Sequence, residues 1–150
     1  MLIYIGADHR GFHLKEFVKK FLKESGREVV DVGNAEYNEN DDYPDFAKAA
    51  AKAVSENLEN RRGIVICGSG VGVDIVANKF DGIRSALANN VRQAILSRKD
   101  DDANVLALAA EFINEEEAKK ILTAWLETPF SKEEKYKRRL AKINEYEKEN

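Results

Sequence analysis

The chain has 150 residues, 43% of them hydrophobic, and 27 acidic against 24 basic side chains give it a net charge of −3. That is enough apolar length for one domain with its own core, and a balance that offers nucleic acid or an anionic membrane no basic surface. The single cysteine excludes an internal disulfide, a CxxC redox pair and a cysteine-built zinc site, and the opening MLIYIG lacks the length and basic flank of a signal segment or membrane span, so a cytoplasmic protein is expected.

Leu2–Ala7 reads as the first strand. Leu14, Phe17, Val18, Phe21 and Leu22 keep helical spacing until Gly26 stops them, and Val29–Val32 is a second strand closed by Gly33. The polar run NAEYNENDDYPD leads to an alanine-rich helix over Phe46–Leu58. A strand over Ile64–Cys67, a helix through Phe80, a strand over Ile83–Ala88, a helix over Arg92–Arg98 and a strand over Asn104–Ala109 follow. Ala118, Ile121, Leu122, Trp125 and Leu126 mark a further helix, and Pro44 and Pro129 punctuate loops. Strands alternating with helices predict a parallel sheet covered on both faces, with ligands at the carboxyl ends of the strands. Asp8, His9, Gly33, Cys67–Gly72 and Asn89 would share that edge. The tail from Ser131 to Asn150 is dense in Lys, Arg and Glu, yet Tyr136, Leu140 and Ile143 fall on one helical stripe. It is either a solvated helix or, since the stripe needs burial, an arm that packs on another subunit.

The stretch GIVICGSGVG, residues 63–72, carries the most chemistry. An apolar strand stops at Cys67 and turns through Gly68, Gly70 and Gly72 into a helix bearing Val73, Ile75 and Val76. Glycines let successive backbone N–H groups converge, and a helix start adds its positive end, so the loop favours an anion. The same field favours a thiolate over a thiol, which makes Cys67 a candidate base or nucleophile as well as a candidate core thiol.

GADHRGFHLK from Gly6, DYPDFA from Asp42, ICGSGVG from Ile66, ANKFDGIR from Ala77 and DANVLAL from Asp102 stand in an order and spacing that resemble the ribose-5-phosphate isomerase B family, which includes the galactose-6-phosphate isomerase subunits. The similarity spans nearly the whole chain. It implies a Rossmann-like three-layer αβα sandwich with a five-stranded parallel sheet and a C-terminal helical arm. It also implies a homodimer with sites shared between subunits, a dimer of dimers being open. The implied activity is aldose–ketose isomerisation of a sugar phosphate, ribose 5-phosphate to ribulose 5-phosphate first, without metal or cofactor. By this resemblance Cys67 is the base, and Val73 stands where a second branch of the family carries a glutamate. The amides of Gly68, Gly70, Val71 and Gly72 would hold the enediolate oxygen, and Ser69 would pass protons between the C1 and C2 oxygens. Asp8, His9 and Tyr43 match positions that hold sugar hydroxyls or phosphate. From the residues alone, Asp8 also suits a helix cap, His9 a surface histidine and Tyr43 a packing contact.

The departures from the family are as informative. Asp100 stands in place of a ring-opening histidine, Asp101 in place of an asparagine, and Glu111 in place of an arginine after the last strand. The tail's phosphate clamp becomes EEKYKRR, where Lys135 and Arg139 match the arginines and Tyr136 the histidine. A lysine point charge is no substitute for a guanidinium fork, so phosphate affinity by that route should fall. Like charges along Asp100, Asp101 and Asp102 would keep one carboxyl protonated and able to open the ring. Otherwise the site serves another or an open-chain sugar phosphate, with Arg92, Lys137 and Arg138 available to the phosphate, or the run is a solvated turn. A divalent ion there is disfavoured because adjacent side chains point apart. The alternatives are a subunit of a galactose-6-phosphate-type or other hexose-phosphate isomerase, a non-catalytic sugar-phosphate sensor, a nucleotide-binding module and a thiol peroxidase or transferase.

Overall fold

The computed structural model describes residues 1–149. Its elements are β1 (Leu2–Ala7), α1 (Phe12–Glu24), β2 (Glu28–Asp31), α2 (Tyr43–Ser55), β3 (Arg61–Cys67), α3 (Val71–Ala77), β4 (Ser85–Leu87), α4 (Val91–Lys99), β5 (Val105–Ala109), α5 (Glu115–Glu127) and α6 (Glu134–Glu149). The five strands form an all-parallel sheet in the order β2-β1-β3-β5-β4.

The period-two alternation of a strand sorts its side chains between two helical layers. Ile64 and Ile66 of β3, with Ile3, Ile5, Leu106 and Leu108 of its neighbours, pack beneath Leu14, Val18 and Leu22 of α1 and Ile121, Leu122 and Trp125 of α5. Val65 and Cys67 point the other way, with Val105 and Ala107, into Ala47, Ala50, Ala51 and Val54 of α2 and Val73 and Ala77 of α3. Each fully buried Ile or Leu contributes roughly 1.5–3 kcal/mol, so the two layers together hold the αβα sandwich. Alternation also fixes the fate of the cysteine: it must join the α2/α3 layer, at the last residue of its strand.

Several boundaries differ from the sequence reading. Helix α2 begins at Tyr43, three residues before Phe46, and Pro44 lies in its first turn rather than in a loop. Proline is suited to that place because the first-turn N–H groups have no helical partner to lose. Helix α3 stops at Ala77, and Lys79 and Phe80 bond back three residues to Val76 and Ala77, a tightened turn instead of further helix. Strand β3 starts at Arg61, since its pairing with β1 reaches down to Leu2. The edge strand β4 keeps only Ser85–Leu87. The stop at Gly26 is as expected: Gly26 lies at φ +76, with Arg27 N–H on Leu22 O and Gly26 N–H on Lys23 O, a Schellman closure.

Helix α6 buries none of its residues fully. Tyr136 and Leu140 are half-buried and Ile143 stays 42% exposed, while the Glu147 carboxylate accepts from Gly82 N–H at 2.8 Å and ties the helix to the approach to β4. The expected tail also includes Asn150, which lies outside the described residues. Among the described residues no helix is long and apolar enough to cross a membrane.

Candidate active site

Strands β1 and β3 are neighbours whose connections leave in opposite directions, β1 to β2 on one side and β3 past β5 to β4 on the other. Such a divergence opens a crevice at the carboxyl ends of the two strands. Asp8, His9 and Arg10 leave β1 there, and Cys67–Gly70 leave β3.

Cys67 is 5% exposed, and its Sγ accepts from the Gly70 N–H at 3.2 Å. That bond requires a sharp reversal, which Gly70 supplies at φ +74. A side chain at Gly70 would also meet Leu87 Cδ1 at 2.5 Å and the Leu108 carbonyl carbon at 3.1 Å. The other two glycines are small for the sake of their neighbours. A Cβ at Gly72 would lie 2.7 Å from the Tyr43 ring, and one at Gly68 would lie 2.4 Å from Arg10 Nε. Tyr43 therefore packs against the loop, half-exposed beside it. The Ser69 hydroxyl accepts from Val71 N–H at 3.3 Å, at the start of α3. Asn78, behind the loop, donates to Asp74 O and Ser85 O and accepts from Ser85 N–H, so it braces α3 against β4.

Across the crevice, Asp8 is 4% exposed and accepts from Gly11 N–H at 3.0 Å, the local turn expected of a helix-leading aspartate. Burial pushes its carboxyl above the ordinary range, and the Gly11 bond opposes the shift. His9 is gripped twice by Asp41 Oδ1, through its backbone N–H and through Nδ1, both at 2.8 Å. That hydrogen bond raises the imidazole above its usual pKa. Asp41 Oδ2 in turn accepts from Asn34 Nδ2 at 2.8 Å, and Asn34 O accepts from the fully buried Lys15 Nζ at 2.7 Å. Lys15 also pairs with Asp31 at 2.8 Å. Arg10 reaches Glu111 with Nε on Oε1 at 2.6 Å and its terminal nitrogen on Oε2, a bidentate pair spanning the crevice. Arg10, Asp41 and Lys15 escaped the sequence reading because their partners lie tens of residues away; of the three, only Lys15 gave any signal, a lysine on a spacing that otherwise reads apolar.

Asp100 and Asp101 lie elsewhere. Helix α4 carries the chain back from the carboxyl edge, so both aspartates stand at the amino-terminal edge, just before β5. There Asp102, at φ 47, pairs with Arg84 at 3.0 Å and Arg98 at 2.7 Å, and one Asp100 carboxylate oxygen is buried without a partner. Burial first and the neighbouring Asp100 second push the Asp101 carboxyl up, while Arg139 and Arg84 oppose them. The cation of Arg139 thus reaches this group from α6 and lies over the Tyr136 ring at 5.5 Å. Lys135, one turn earlier, pairs with Glu133 at 3.3 Å. Asp8, His9, Tyr43, Cys67, Gly68, Ser69, Gly70, Val71 and Gly72 therefore gather at one edge of the sheet, and Asp100, Asp101 and Arg139 at the other. Within one chain the two groups do not meet. Among the described residues, no three His, Cys, Asp or Glu side chains come close enough together to hold a metal ion.

A profile of the family described as Ribose/Galactose Isomerase matches residues 3–143. A probable ribose-5-phosphate isomerase B of Mycoplasma genitalium is 42% identical over 147 residues, 98% of this chain and 96% of that protein. The crystal structure of ribose-5-phosphate isomerase B from Mycoplasma genitalium, with ribulose-5-phosphate bound, superposes with a TM-score of 0.96 at 42% identity, covering 99% of this chain and 97% of that one. The D-erythrulose-4-phosphate isomerase of Pectobacterium atrosepticum is 41% identical over 128 residues, 85% of this chain and 84% of that protein.

Proposed function

Because the chain belongs to the ribose/galactose isomerase family, we propose that it interconverts ribose 5-phosphate and ribulose 5-phosphate with Cys67 as the base. The activity is that of an aldose–ketose isomerase. The observation that carries the role of Cys67 is its thiol at the end of β3, bonded to Gly70 N–H at 3.2 Å in the glycine loop that leads into α3.

The chemistry follows from that placement. Cys67 sulfur takes the proton from C2 of the open-chain aldose, and the electron pair of the broken C–H bond forms the C1=C2 double bond while the C1 carbonyl oxygen becomes an oxyanion. The amides of Gly68 and Gly72 are left for that charge, while Gly70 N–H holds the sulfur and Val71 N–H the Ser69 hydroxyl; preorganised donors of this kind lower such barriers by several kcal/mol. Ser69 relays a proton from the C2 oxygen to the C1 oxygen, and the thiol returns its proton to C1, leaving the ketose. Asp8, His9 and Tyr43 orient the hydroxyls from the opposite wall.

Asp100, Asp101, Lys135 and Arg139 join this machinery only if a second copy brings its amino-terminal edge to the crevice, so a homodimer with two shared sites is part of the reading. The exposed Ile143 and half-buried Leu140 and Tyr136 on α6 give that dimer an apolar seam. Of the aspartates, Asp101 has the carboxyl pushed up and suited to donate a proton. One observation favours a second substrate. Asp100 replaces the ring-opening histidine, and a relative 41% identical is an isomerase of D-erythrulose 4-phosphate. With its C4 oxygen esterified, a tetrose 4-phosphate cannot close a furanose ring and needs no ring-opening group.

Incubation with a panel of sugar phosphates in D₂O, followed by NMR, tests both. Ribose 5-phosphate, ribulose 5-phosphate and erythrulose 4-phosphate head the panel, with galactose and tagatose 6-phosphates behind. Deuterium at the aldose C2 or ketose C1, with interconversion, is expected, and Cys67→Ala should abolish it while retaining the fold. Normal turnover by Cys67→Ala would sink the thiol as base.

A further inference from the structure

A sugar phosphate brings a dianion to this crevice, and the loops that form the crevice are acidic. At the carboxyl edge of the sheet the loops are residues 8–11, 32–42, 68–70, 88–90 and 110–114. They contain Asp8, Glu36, Glu39, Asp41, Asp42 and Glu111, and Arg10 is their single lysine or arginine. His9 already has its Nδ1 on Asp41. Arg92 stands outside these loops, exposed on the first turn of α4.

We propose that Arg10, held in place by Glu111, is the phosphate-binding side chain that this protomer itself supplies; the assignment rests on the sugar-phosphate reading above. Three features of the geometry support it. The guanidinium lies against Gly68, where a Cβ would come 2.4 Å from Nε and 2.5 Å from Cζ. It therefore sits on the residue next to Cys67, on the same rim of the crevice as the thiol. Its Nε and one terminal nitrogen are taken by Glu111, and among the described residues no other acceptor uses the remaining N–H groups. Those remain for an incoming oxyanion.

Glu111 acts as the brace. A free arginine at 50% exposure would sample many rotamers, and a two-bond carboxylate partner holds the planar fork in one orientation. The arrangement also selects its ligand. A phosphate dianion meets the free N–H groups as a charged acceptor, which a neutral hydroxyl cannot do. The acidic loops set a penalty on any anion that does not reach Arg10.

Isothermal titration of the full-length protein with inorganic phosphate, beside steady-state kinetics with ribose 5-phosphate, reads this directly. Arg10→Ala should weaken inorganic phosphate and raise KM by about 10- to 100-fold, the range lost with charge-assisted hydrogen bonds. The kcat should change by no more than about threefold, the signature of binding common to ground and transition states. Arg10→Lys keeps charge without the fork and should fall between the parent and Arg10→Ala. Phosphate binding by Arg10→Ala equal to the parent's, or a loss confined to kcat, overturns the assignment. Parent protein that binds inorganic phosphate through Arg10 yet isomerises no sugar phosphate would support the anion site and reject the isomerase reading, so the two failures are separable.

Discussion

The site is built from side chains whose chemistry is set by one or two partners each, and His9 shows this best. Its imidazole pKa is raised by the hydrogen bond it donates to Asp41, and Asp41 is itself held by Asn34, whose carbonyl is pinned by the buried Lys15. A raised folded-state pKa means that protonated His9 stabilises the fold fully at pH below the unfolded imidazole value of about 6.5. That contribution is lost as pH rises through the folded-state value. Asp41→Asn should therefore lower the His9 midpoint in an NMR titration, and the stability gap between parent and variant should close as the solution becomes alkaline. An unmoved midpoint would mean that Asp41 positions the loop without tuning the ring. The DH pair was legible in the sequence as two polar residues at a strand end. Its tuning was not, because Asp41 lies 32 residues away in a run of five polar and acidic residues, Asn38–Asp42, where any one could have been the partner.

At the scale of elements, the strand–loop–helix unit around Cys67 was legible because each of its parts has a local cause: apolar β3, three alternate glycines, then apolar spacing again. What could not be read was which constraint each glycine answers. Gly26 and Gly70 make a controlled comparison, since both have φ near +75. Nothing lies within 4 Å of a Cβ at Gly26, whereas one at Gly70 would strike Leu87 Cδ1 at 2.5 Å and the Leu108 backbone at 3.1 Å. Alanine at Gly26 should cost only the left-handed backbone penalty, about 1–2 kcal/mol. At Gly70 the overpacking adds roughly 1–3 kcal/mol more, and the bond to Cys67 Sγ is disturbed as well. Denaturant midpoints measure the first difference and turnover the second. Equal midpoints for the two variants would show that β4, three residues long and at the sheet edge, yields to the methyl group. Boundaries were the weaker part of the reading for similar reasons. Pro44 reads as loop punctuation until its place in the first turn of α2 is seen, and the two arginines that begin β3 look polar although pairing with β1 makes them strand.

For the whole molecule, the decisive fact is that parallel topology separates the motifs that sequence similarity groups together. Cys67 ends a strand, while Asp100 and Asp101 precede one, and α4 between them spans the height of the sheet. Spacing along the chain carries no hint of this, because a residue's edge depends on whether it follows a strand or a helix. If the functional reading holds, each site takes its thiol loop from one copy and its acidic and α6 cations from another. Mixing then gives a clean test. Cys67→Ala and the double variant Asp100→Ala/Arg139→Ala should each be inactive alone. A mixed dimer has one site carrying both lesions and one carrying neither, so random exchange should restore about a quarter of the parent's specific activity in a symmetric dimer. Full activity of the double variant alone would mean that each chain completes its own crevice, with the amino-terminal cluster left to structure; activity that stays at zero after demonstrated subunit exchange would mean that the two groups are not shared between a pair of copies. Recovery near a quarter would instead put the amino-terminal aspartates and Arg139 of one copy in the service of the neighbour's thiol.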